Sequence, residues 1–116
     1  MAIAVDLDGT LAEYHGWNGP NHVGQPILPM MERVIDWINK GAEVCIFTAR
    51  IHEDPVALTG VRGWLVEQAR VFDCPALAEL EITNIKQPKF TEFWDDRAVP
   101  VHKNTGEINY GQEETN

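Results

Sequence analysis

Basic residues are scarce. Lys and Arg total 9 against 18 Asp and Glu, for a formal net charge of −9. That deficit argues against non-specific DNA or RNA binding, which draws on a positive surface, so nucleic acid is not an expected partner. It suits a chain that gathers carboxylates around a divalent cation. Cysteine is scarcer still, with Cys45 and Cys74 alone. They form neither a C-x-x-C pair nor a zinc spacing, and read as free thiols of a cytosolic chain. No apolar run approaches the ~18–20 residues that span a bilayer. Residues 1–6 lack the basic start and long apolar core of a signal peptide. A cytoplasmic protein without a membrane partner is therefore expected, with no internal repeat and no low-complexity tract.

What is present fits one compact domain. The 116 residues are 44% hydrophobic and 23% charged, ordinary values for a globular chain. Residues 3–7 form a short apolar run interrupted only by Asp6, as expected of a strand covered on both faces. Asp8-Gly9-Thr10 then supplies turn chemistry. Gly16, Gly19, Pro20, Gly24 and Pro26 mark a loop through 11–26, long for so small a domain. The spacing of Met30, Met31, Val34, Trp37 and Ile38 predicts a helix over about 27–40, stopped at Gly41. Residues 43–48 read as a second strand. Asp54-Pro55 opens a further helix carrying Val61, Leu65, Ala69 and Phe72. Residues 80–85, 92–95 and 99–102 are candidates for the third, fourth and fifth strands. Residues 1–103 are expected to form the domain and 104–116 a polar tail. Strands alternating with helices imply an α/β fold. The expectation is a Rossmann-like three-layer sandwich, with a mostly parallel sheet of about five strands and helices on both faces.

Ligands of such sheets bind at the carboxyl ends of the strands. Four polar sets follow the strands directly: Asp6 to Thr10, Thr48-Ala49-Arg50, Lys86, and Asp95-Asp96-Arg97. A parallel sheet would bring them to one rim. Taken singly, several have plain explanations. Asp-Gly-Thr is a common turn, Thr48 is an acceptable strand residue, and most lysines are merely solvated. Asp6 is different, because a charge inside an apolar strand is costly unless paired or metal-bound.

Asp6-Leu7-Asp8-Gly9-Thr10-Leu11 resembles motif I of the haloacid dehalogenase (HAD) superfamily of phosphotransferases. Phe47-Thr48 resembles its motif II, a lysine near 86 its motif III, and Trp94-Asp95-Asp96 its acidic motif IV. The resemblance spans roughly 3–101. It implies a Mg²⁺-dependent phosphomonoester hydrolase in which Asp6 is the nucleophile and forms an aspartyl-phosphate. Asp8 would serve as general acid and then base. Thr48 would bind a phosphoryl oxygen beside the Ala49 backbone, and Lys86 would neutralise charge. Asp6, the Asp8 carbonyl and Asp95 would ligate the metal, with Asp96 close behind.

Lys89, three residues beyond Lys86, is the alternative motif III lysine. Neither interval between motifs has room for an inserted cap, so a capless member is implied. Water exclusion would then fall to the 13–25 loop, a second subunit or the substrate. Tyr14, His15, Trp17, Asn18 and His22 are candidate substrate contacts, with Trp17 equally able to pin the loop. Arg50 and Arg97 would grip a second anionic group or pair with nearby carboxylates. Trp37 or Trp64 would serve in a homo-oligomer. The phosphorylated substrate itself stays open. The alternatives are transfer to an acceptor other than water, and a non-catalytic phosphate- or metal-binding module.

Overall fold

The computed structural model describes residues 2–111. Four short strands carry the apolar runs: β1 (Ala2–Asp6), β2 (Glu43–Phe47), β3 (Glu81–Thr83) and β4 (Phe90–Trp94). All pair in parallel, in the order β3-β2-β1-β4. Between β1 and β2 lie the long loop and α1 (Leu28–Asn39). Pro29 sits in the first turn of α1, and Gly41, at φ +87°, lets the Ala42 and Gly41 amides reach back to Trp37 and Ile38. That is the left-handed glycine stop the sequence predicts. Between β2 and β3 lie the single turn α2 (Arg50–Glu53), α3 (Val56–Val71) and a 3₁₀ turn at Pro75–Glu79.

Strand parity sorts the side chains. Val5, Val44 and Ile46 face Met30, Met31 and Val34 of α1 and Val61, Leu65 and Ala69 of α3 in one continuous core. Ala2, Ala4 and Cys45 point the other way, to Phe90 and Phe47. Both long helices therefore cover the same face, and the expected three-layer arrangement is corrected to two layers. The cause is topological. β1, β2 and β3 step in one direction across the sheet, and successive right-handed crossovers in one direction stay on one side. The chain then doubles back to β4 through only residues 84–89, too few for the helical return a second layer needs. The other face keeps small alanines under an edge-to-face cluster of Phe47, Phe90 and Phe93, with ring centroids 5.7–6.1 Å apart.

Among the described residues the sheet has four strands rather than five. Residues 99–102 do not join it; Val101 makes only an isolated antiparallel bridge to Ile108. Pro100 has no N–H for a ladder, and Val99 and Val101 are exposed. Residues 104–109, read as tail, fold back so that the His102 amide donates to Glu107 and the Asn109 amide to Pro100. The rest of that reading, 112–116, lies outside the described residues. Trp37 packs on Trp94 with centroids 5.1 Å apart, and the Trp64 indole donates to the Gly24 carbonyl. Both tryptophans are thus engaged within the chain. Among the described residues no helix is long and apolar enough to cross a membrane.

Candidate functional site

The parallel register sets the rim. Asp6 pairs with Phe47, Phe47 with Thr83, and Val5 with Trp94, so the strands end within one residue of the same level. Beyond β1 the chain turns at once. The Leu7 carbonyl accepts from the amides of Leu11 and Ala12, and the Gly9 amide donates to Ala12. Gly9 holds φ +89°, and a Cβ there would lie 2.5 Å from Oδ2 of Asp96. A residue without a side chain is needed because the 96 carboxylate presses on this turn.

Asp6, Asp95 and Asp96 meet there. One carboxylate oxygen from each lies within 4.8 Å of the others. The Thr10 hydroxyl sits between two of them, 3.2 Å from Asp6 Oδ2 and 3.2 Å from Asp96 Oδ1, while accepting from the Asp96 amide at 3.0 Å. A hydroxyl has one proton, so it can donate to only one of the two carboxylates at a time. Among the described residues no lysine or arginine forms an ion pair with Asp6, Asp95 or Asp96. The Asp6 carboxyl responds by rising to about pH 7 in its titration, from an ordinary 3.8. Burial is the largest cause, followed by the Asp95 charge and by hydrogen bonding to Asp96, with Thr10 pulling the other way. Asp95 Oδ1 accepts the Arg97 amide at 2.8 Å, but neutral donors leave the clustered charge uncancelled, and three crowded carboxylates fit a hard divalent cation, which takes oxygen ligands.

Asp8 lies outside that cluster. Its carboxylate is held on both oxygens by Arg50, Nη2 to Oδ1 at 2.7 Å and Nε to Oδ2 at 3.0 Å. Of the two roles open to Arg50, pairing with a carboxylate is the one observed. Thr48 is buried at the end of β2, one residue past the partner of Asp6. Its amide donates to Thr83 at 2.9 Å, and its hydroxyl accepts the Arg50 amide at 3.2 Å. Ala49 follows as the N-cap residue just before α2.

The two lysines part company. Lys86 lies just past the β3 rim, with its ammonium 5.2 Å from the centroid of the Phe93 ring and no ion pair among the described residues. Lys89 is bound to Glu43 at 2.7 Å and Glu81 at 2.9 Å. Glu43 begins β2 beside Ala2, four residues and about 13 Å from the Asp6 rim. The structure therefore separates Lys89 from the carboxylate cluster.

The 13–25 loop is a docked strap. Its stem is closed by the Glu13 amide donating to Gln25 and by an Ala12–Pro26 bridge. Trp17 lies over the Arg50 guanidinium, whose Cζ is 4.9 Å from the ring centroid. Under the strap is a cavity of about 240 Å³ lined in part by Tyr14, His15, Asn18, His22 and Arg50. His15 also lies 3.4 Å from Glu13. The bridging role of Thr10 and the close approach at Gly9 escaped the sequence reading, because their partner Asp96 lies 86 residues from Thr10. A helical glycine, Gly60, was the one available signal for the docking. A Cβ there would meet the Pro20 carbonyl at 2.4 Å.

Fold and rim together define an α/β protein with a carboxylate-lined, cation-compatible site at the carboxyl ends of a parallel sheet. Comparison with family models, with curated proteins and with solved structures finds no match.

Proposed function

We propose that the protein is a Mg²⁺-dependent phosphomonoester hydrolase of the HAD type, in capless form, with Asp6 as nucleophile. The observation that carries this reading is the convergence of the Asp6, Asp95 and Asp96 oxygens within 4.8 Å, with no lysine or arginine paired to them among the described residues. The resemblance of residues 6–11, 47–48 and 94–96 to the HAD motifs supplies the chemistry. An Asp6 oxygen attacks phosphorus, an O–P bond forms, and the ester P–O bond breaks as the leaving oxygen takes a proton from Asp8. Water then attacks the aspartyl-phosphate and gives its proton to Asp8, releasing phosphate and restoring Asp6. Asp6 and Asp95, with Asp96 beside them, would hold Mg²⁺, which when bound offsets repulsion between the anionic nucleophile and the anionic ester. Thr48 and the Ala49 backbone support the phosphoryl oxygens. Lys86, without an ion pair among the described residues and just past the end of β3, supplies positive charge, and Lys89, held by Glu43 and Glu81, does not. His15 and Trp17 on the strap contact the leaving group of the substrate, which is a sugar phosphate, a nucleotide or a macromolecular phosphate.

The test is phosphate release from a panel of phosphorylated metabolites and a generic aryl phosphate, with and without Mg²⁺. Metal-dependent release by the native chain and its loss in Asp6→Asn, with the fold retained, is the expected result. Undiminished release by Asp6→Asn removes the assigned nucleophile.

A further inference from the structure

One buried guanidinium is committed in two directions. The Arg50 side chain is 3% exposed. Its Nε and Nη2 grip both oxygens of Asp8, while Nη1 donates to the His22 carbonyl at 2.8 Å and the Gly19 carbonyl at 3.3 Å. Its flat face carries the Trp17 ring. The strap has other anchors, at Trp64 and at Gly60, but neither touches a rim carboxylate. The stem of the strap meets the rim turn only through backbone, at Ala12 beside Asp8 and Gly9; among the described residues Arg50 is the side chain bonded both to the strap and to a rim carboxylate.

We propose that Arg50 is a positioning residue that couples the 13–25 strap to the Asp8 carboxylate, so that closure of the strap and aim of Asp8 are one event. Its consequence for turnover rests on the phosphatase reading above; the coupling itself does not. The physical ground is the cost of a buried, unpaired guanidinium. If Asp8 swings away, Arg50 must follow it or lose its charge partner, and either path disturbs its bonds to Gly19 and His22. The reverse holds by thermodynamic reciprocity, so loosening the strap loosens Asp8. A planar fork is required, because a lysine ammonium cannot serve two carboxylate oxygens and two carbonyls in fixed directions. Each Asp8 oxygen keeps a further acceptor site beyond its bond to Arg50, so the clamp orients the carboxylate without consuming it.

The experiment is amide hydrogen exchange of the full chain, native, Asp8→Asn and Arg50→Lys, with thermal unfolding to confirm folding. Asp8→Asn alters no strap residue, yet the His22 amide and its neighbours should exchange roughly tenfold faster. Strap exchange equal to that of the native chain in Asp8→Asn overturns the coupling. Should Asp8→Asn not fold, Asp8→Glu, which keeps the charge but moves the carboxylate, is read in the same way. In turnover of an aryl phosphate, Arg50→Lys should lower kcat by roughly tenfold or more with KM within about twofold. A purely structural Arg50 would leave kcat unchanged in the folded fraction. If the native chain releases no phosphate, the phosphatase reading fails while the exchange result still decides the coupling.

Discussion

Asp6 concentrates the tension of the molecule. Its carboxyl is raised from 3.8 to about 7, so the folded chain holds a proton that the unfolded chain has already released. Where the native state binds more protons, stability falls with rising pH. Without divalent metal the chain should therefore lose stability between about pH 4 and pH 7 and regain none above. Asp6→Asn should flatten that slope and melt higher than the native chain near pH 8; a lower melting point would show that the Asp6 charge is not the cost. Added Mg²⁺ should stabilise the native chain most at the alkaline end, because it replaces the proton, and should leave Asp6→Asn nearly unmoved. Gly9→Ala, forced to φ +89° with Asp96 at 2.5 Å, should weaken Mg²⁺ binding in a calorimetric titration by roughly tenfold or more. Asp6, Asp95 and Asp96 were legible in the sequence because each closes an apolar strand. The role of Thr10 was not, since a side chain between two carboxylates is a tertiary fact. Sequence favours Lys86 and keeps Lys89 as the alternative, because the partners that hold Lys89, Glu43 and Glu81, lie at the far end of the strands and leave no local signal.

At the level of elements, the strap departs furthest from its sequence pattern. Gly16, Gly19, Pro20 and Gly24 read as a loop open to motion, yet the segment is fastened from below. Trp64→Phe removes the donor to Gly24 and should cost about 1 kcal/mol, seen as a melting point lower by a few degrees. Gly60→Ala tests the docking by its sign. Alanine in a helix interior ordinarily stabilises by about 1 kcal/mol. Here a Cβ would meet the Pro20 carbonyl at 2.4 Å, so the substitution should destabilise, and a higher melting point would show the strap free to lift. The helices themselves were readable from their 3.6-residue spacing and from the Gly41 stop. Their shared face was not, because it follows from strand order, which periodicity does not encode. Nor was it legible that Val99–His102, with the composition of a strand, stays off the sheet and pairs locally instead, through the Val101–Ile108 bridge.

For the molecule as a whole, a net charge of −9 and a parallel sheet with one rim of converging acids are two views of one device. Helices on a single face leave the aromatic cluster of Phe47, Phe90 and Phe93 on the other, so the fold rests on one main core and a thin second one. The rim is assembled from β1, β2 and β4 and depends on their common register, which is why distant stretches of sequence meet there. The most direct measurement is to quench the chain with borohydride during turnover of an aryl phosphate in Mg²⁺ and map the modified residue by mass spectrometry. Reduction of an acyl-phosphate converts its aspartate to homoserine. The account predicts homoserine at position 6 alone, dependent on substrate and metal; continued turnover with the modification at another aspartate would contradict it.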